Sequence, residues 1–167
     1  METVAATDDA AEFAEWAGPA RGAMTRLARR LAPAADPDDV VQDSLARAWQ
    51  KRGQFDPARG TPTTWLLAIV ADQARAARRS RIRRLRVVDD AAELPDPPAS
   101  DRGVDLDLER AIGRLAERQQ LAVHLHYFLG LGVDETAAVM GCAPGTVKST
   151  LFDARTRLRA LLGDSDD

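Results

Sequence analysis

Seven arginines lie between Arg75 and Arg86 with no acid among them. So dense a run of guanidinium groups repels itself, and binding a polyanion relieves the repulsion while releasing counterions. A second set, Thr146, Lys148, Ser149 and Thr150, places hydroxyls and an ammonium group close together. That mixture both donates and accepts hydrogen bonds, which is the chemistry of reading base edges.

Neither set is catalytic, and no enzyme constellation appears elsewhere. His124 and His126 fall two apart in a predicted helix, so they face different ways. They are expected at the surface or its boundary, since a zinc site needs more Cys or His at ligand spacing. There is no glycine-rich phosphate loop and no G-x-S-x-G run. The carboxylates sit in a linker or at helix starts, where solvation and dipole compensation are their ordinary roles. No catalysis, cofactor or metal is therefore expected.

The second set is positioned by Leu129–Leu162, which reads as two helices and a tight turn. The first helix, Val133–Met140, puts Val133, Ala137 and Met140 on one face, with Gly132 at its N-cap and Gly141 as its stop signal. Pro144 suits the first turn of the second helix. That helix carries Val147, Leu151, Ala154, Leu158 and Leu161 as one apolar stripe. Its other face offers Thr146, Lys148, Ser149, Phe152, Arg155 and Arg159. A short helix, a glycine turn and a longer helix with a polar, basic start form the helix-turn-helix pattern. In that geometry the second helix enters the major groove. A plain helical hairpin with a solvated face has the same periodicity, and the run GCAPGTVKS favours the DNA-binding reading.

The arginine block belongs to a helix that Thr61-Pro62 starts by a cap and a proline. Trp65, Leu66, Ile69, Val70 and Gln73 lead it, and it is expected to end near Arg84. Before it, Gln54–Gly60 is a loop by its proline, glycine and aspartate. Asp36-Pro37 opens an earlier helix with Val40, Val41, Leu45, Ala48 and Trp49 on its apolar face. Asp39, Gln42, Asp43 and Arg47 then fall off that stripe and are expected to be exposed. Phe13, Trp16, Met24, Leu27 and Leu31 mark helical sequence from Ala11, interrupted at Gly18-Pro19.

The net charge of −3 by itself says nothing for nucleic acid, but its distribution does: eight acids and one arginine lie between Asp89 and Glu109. Abundant alanine with 5% aromatic residues favours helices. The single cysteine, Cys142, excludes intramolecular disulfides and fits a reducing cytoplasm. No apolar run is long enough to span a membrane, and the N-terminus lacks the basic start of a secretory signal. The expected fold is all-α: two small helical domains, 11–86 and 105–162, joined by a flexible linker at 87–104 with three prolines. Residues 1–10 and 163–167 are expected to be disordered.

Two stretches together resemble a known family. DPDDVVQDSLARAWQKRGQFDPARGTPTTWLLAIVADQARAARRSRIRR is similar to the core-binding and −10 domain of the sigma-70 family. LAERQQLAVHLHYFLGLGVDETAAVMGCAPGTVKSTLFDARTRLR is similar to its −35-binding domain. Two such domains with only a linker between them resemble the extracytoplasmic-function group. The resemblance implies a dissociable, non-enzymatic subunit of bacterial RNA polymerase, cytoplasmic, that directs the enzyme to promoters and is held by an anti-sigma protein. Asp39, Gln42 and Asp43 match the D-x-V-Q-E/D motif that docks on core polymerase, with Arg47 on the same face. Phe55, Asp56, Arg59 and Gly60 match the F-D-P-x-R-G loop, near where a −10 base is captured. Arg75, Arg78 and Arg79 match the basic −10 helix. Thr146, Lys148, Ser149 and Thr150 match the start of the −35 recognition helix, which also carries Arg155. The chain departs from the pattern at Ala116, Ala143, Phe152, Asp153, Ala71 and Ala76. A sigma-like decoy for an anti-sigma protein and a plain helix-turn-helix regulator are the alternatives.

Overall fold

The computed structural model describes the backbone of residues 2–88 and 106–163, and the side chains of 9–85 and 106–163. The chain divides into two compact units, Met1–Ala92 and Glu93–Asp167. Both are helical, and the described residues contain no strand.

In the first unit, α1 (Glu2–Ala17) is followed by a single 3-10 turn, Gly18–Ala20, and then α2 (Arg21–Leu31). The Gly-Pro pair thus breaks the helix where the residues predict. The start differs: helix begins at Glu2, not after a disordered 1–10. Ala5, Ala6, Ala10 and Ala11 have the best helix propensity, and no glycine or proline interrupts them. α3 (Pro37–Gln50) opens as expected, with the Asp36 carboxylate accepting the Asp38 N–H at 2.8 Å. α4 (Pro62–Val88) opens on Thr61, whose Oγ1 accepts the Thr64 N–H at 3.2 Å.

α4 runs past the expected end at Arg84 and takes in Val87 and Val88, assigned above to the linker. No glycine or proline stands between Thr63 and Val88 to stop it. The remainder of the expected linker and residues 164–167 lie outside the described residues. Met24, Leu27 and Ala28 of α2, Val40, Val41 and Ala48 of α3, and Leu66, Leu67, Val70 and Ala74 of α4 form the core. Ser44 is buried among them, and its hydroxyl donates to the Val40 carbonyl at 2.6 Å. That bond removes the desolvation penalty of an unmade one.

The second unit comprises α5 (Leu106–Gly113), α6 (Glu117–Val123), α7 (Val133–Met140) and α8 (Pro144–Gly163). Ile112, Leu115, Ala122, Val123, Ala137, Val147, Leu151 and Ala154 pack as one core, with Leu108, Phe128, Val133, Met140, Cys142 and Leu158 around it. Gly141 ends α7 at φ +61°, the left-handed conformation that a side chain disfavours. The helix expected over Glu117–Phe128 is α-helical only to Val123; His124–Phe128 winds as a π-turn. His124, the first residue of that turn, is 4% exposed beside Phe128, rather than at the surface.

The first bonds of α8 run to the Ala143 carbonyl, from Thr146 at 2.9 Å and Val147 at 3.3 Å. Ala143 has no side-chain oxygen to satisfy a further amide. Ala143→Ser should therefore raise the stability of this unit by about 1 kcal/mol, read by thermal melting of the free chain.

Candidate nucleic-acid interface

α8 buries Val147, Thr150, Leu151 and Ala154. Thr146, Lys148, Ser149 and Arg155 are consequently exposed, as their places off the apolar stripe predict. Thr150 is not: it is 9% exposed, and its hydroxyl donates to the Thr146 carbonyl at 2.7 Å. It stands three residues after Val147 and so shares the buried side, a neighbourhood that the motif match alone ignores. Ser149 also donates back to Thr146, at 3.0 Å, and keeps its lone pairs for an outside donor. Phe152 is 61% exposed on the same face as Lys148, with exposed Asp153 beside it. Arg155 extends outward and donates from Nη1 to the Tyr127 phenol at 3.1 Å.

In the first unit the arginines of α4 differ from one another. Arg78 and Arg79 are exposed, whereas Arg75 is half-buried and lies 3.6 Å from Asp72 one turn earlier. The block therefore has one acid at its edge, just upstream of the stretch that contains none. Arg81 Nη1 donates to the Ala34 carbonyl at 3.3 Å, and Arg84 to Ser80 Oγ at 3.2 Å.

The Phe55–Gly60 loop is fixed at Asp56, whose carboxylate accepts the Ala58 N–H at 2.9 Å. This bond is an Asx turn. It leaves Asp56 and Arg59 exposed. Phe55 is half-buried, its ring 5.2 Å from Trp16 and 5.7 Å from Trp65. Trp65 thus packs as expected, but in a cluster that periodicity does not reveal. Phe13 touches Trp16 at 5.5 Å and Trp49 at 5.3 Å, so α1, α3, the loop and α4 meet through aromatic rings. Apart from the tilted Phe13–Trp16 pair these contacts are edge-on, a geometry that holds rings at defined angles.

On α3, Asp39, Gln42, Asp43 and Arg47 are all exposed. Their spacing puts them on one face, opposite buried Val40, Val41, Ser44 and Ala48.

Among the described residues, no group of three or more His, Cys, Asp or Glu could hold a metal ion. No described helix is long and apolar enough to cross a membrane. Tyr127 is the residue that sequence reasoning missed: it is 49% exposed and bonds to Arg155, 28 residues later, a contact that helical periodicity does not mark.

The family model for sigma-70 region 2 matches residues 20–84, and that for sigma-70 region 4 matches residues 105–158. The chain is 34% identical over 128 residues to the ECF RNA polymerase sigma factor EcfG of Rhodopseudomonas palustris, covering 75% of this chain and 70% of that one. It is 32% identical over 165 residues to the RNA polymerase sigma-E factor of Streptomyces avermitilis, covering 93% and 87%. Among solved structures it is similar to the sigma factor RpoE in complex with the anti-sigma factor NepR from Bartonella quintana. That match has a TM-score of 0.70 and 29% identity, over 91% of this chain and 97% of that one. It is also similar to CnrH in complex with the cytosolic domain of CnrY, with a TM-score of 0.65 and 28% identity over 93% and 89%. The two units in their order, the exposed faces of α3, α4 and α8, and these likenesses agree: the chain belongs to the sigma-70 family, as a sigma factor of the extracytoplasmic-function group.

Proposed function

We propose that this sigma factor docks on core RNA polymerase through Asp39, Gln42, Asp43 and Arg47. Phe55, Asp56, Arg59, Arg75, Arg78 and Arg79 meet the promoter −10 element, and the face of α8 with Thr146, Lys148, Ser149 and Arg155 meets the −35 element. The observation that carries this reading is that each set lies on a helix or loop whose other side packs inward, with every polar member exposed except half-buried Arg75. Asp39, in the first turn of α3, also complements the helix dipole, but the stripe it forms with Gln42 and Asp43 is exposed, as a docking face must be. Thr150, being buried, supports its neighbours by bonding within the helix and is assigned no base contact.

An anti-sigma protein is the proposed inhibitory partner. The support is that two structural relatives were each solved with a bound protein, the anti-sigma factor NepR in one and the cytosolic domain of CnrY in the other.

The test is transcription in vitro with core polymerase, with and without the chain, and mapping of the start sites. Specific starts that appear only with the chain are expected. A chain that binds an anti-sigma protein yet never binds core would instead be a decoy.

A further inference from the structure

Arg155 stands seven residues, or about 10.5 Å of helix rise, beyond Lys148 on the same face of α8. It lies about three turns from the helix start, whereas base edges are met by the N-terminal residues of a recognition helix. Its place therefore suits the DNA backbone.

An exposed arginine samples many rotamers, and binding a phosphate demands that it give up that freedom. Here the guanidinium is already held, by the Tyr127 phenol oxygen at 3.1 Å. The identity of the holder matters. A carboxylate would neutralise the arginine and compete with a phosphate. A phenol is neutral and engages one donor of five, so the charge and a free fork remain.

Tyr127 is itself fixed in place. The π-turn closes by bonds from Leu129 N–H to the His124 carbonyl at 3.0 Å and from Leu131 N–H to the Leu125 carbonyl at 3.1 Å. Within it His124 and Leu125 are buried and Tyr127 is 49% exposed. The Tyr127 ring stands edge-on to His126, with centroids 4.9 Å apart. His126 Nδ1 lies 2.8 Å from the Leu131 carbonyl. That oxygen can only accept, so Nδ1 carries the proton and donates it. A line of contacts thus runs from backbone to His126, to Tyr127, to Arg155.

We propose that Tyr127 is a positioning residue for promoter binding, its phenol holding the Arg155 guanidinium ready for a DNA phosphate. This rests on α8 being the promoter-facing helix.

The experiment uses the full chain with core polymerase on a promoter mapped by the transcription assay, with affinity measured across a salt series. Arg155→Ala should flatten the salt dependence by about 0.9, one phosphate contact on duplex DNA. Tyr127→Phe should keep the slope and the melting temperature, yet weaken binding about fivefold, the worth of one hydrogen bond. The double variant should bind no more weakly than Arg155→Ala alone. Wild-type affinity in Tyr127→Phe, an unchanged slope in Arg155→Ala, or losses that multiply in the double variant would each overturn the proposal. A wild-type chain that forms no promoter complex would overturn the promoter reading itself, and the proposal with it. A failure of the proposal alone leaves wild-type binding intact.

Discussion

Replacing Gln42 and Asp43 together by alanine is expected to leave the first unit folded while abolishing promoter-directed transcription. Both side chains are exposed on α3, and the face that holds the bundle together is Val40, Val41, Ser44 and Ala48. The cap of α3 is Asp36, which the double variant keeps. Surface changes of this kind shift stability by about 0.5 kcal/mol or less, and alanine has the higher helix propensity. At a docking face the arithmetic differs. Central interface residues cost about 2 kcal/mol or more when truncated, which is roughly 30-fold in affinity. Circular dichroism melting checks the first half of the expectation, and co-purification with core polymerase the second. Unchanged affinity for core would remove α3 from the docking assignment.

The second large effect is expected from Arg75, Arg78 and Arg79 changed together to alanine. Promoter complexes should weaken, and their salt dependence should flatten by up to about 0.9 per lost phosphate on duplex DNA or about 0.7 on a single strand. The three are not equal. Arg75 already faces Asp72 at 3.6 Å, so its share should be the smallest, whereas Arg78 and Arg79 are exposed. The variant should melt no earlier than the wild type. Against the Arg75–Asp72 pair that it gives up, worth about 0.2–0.5 kcal/mol, it loses like-charge repulsion along α4 and gains alanines, while the core residues Leu66, Leu67, Val70 and Ala74 are untouched. A salt slope identical to that of the wild type would mean that this side of α4 faces solvent in the promoter complex. Ala71 helps to decide the geometry: it is 5% exposed, so that position serves packing and not the nucleic acid.

Most of the helical architecture was legible because two physical signals coincide. Apolar residues recur at the helical period, and caps mark the starts, as Asp36-Pro37 and Thr61-Pro62 show for α3 and α4. The exposed stripe of α3 follows directly from the buried one. Four features were not legible, each for its own reason. The π-turn at His124–Phe128 changes the winding without changing the residue types, and periodicity marks neither the burial of His124 nor the contact of Tyr127 with Arg155. Thr150 matches the motif, yet its position relative to Val147 puts it on the packed side. The contact of Trp16 with Phe55 and Trp65 joins residues some 40 to 50 apart, a distance at which local periodicity is silent. The helix from Glu2 is hidden in the sequence because its first turns are acidic and lack an apolar period, while its alanines favour helix without marking a face.

That aromatic cluster has a spectroscopic consequence. The chain has three tryptophans, Trp16, Trp49 and Trp65, and all of them belong to the first unit. Each has a ring within 6 Å of another aromatic ring of the cluster. Tryptophan emission therefore observes the unit of α1 to α4 and is blind to the unit of α5 to α8, whose lone tyrosine, Tyr127, is excluded by excitation at long wavelength. Far-ultraviolet dichroism sums over both. A denaturation followed by the two signals at once separates the unfolding of one unit from that of the other, without cutting the chain or adding a label.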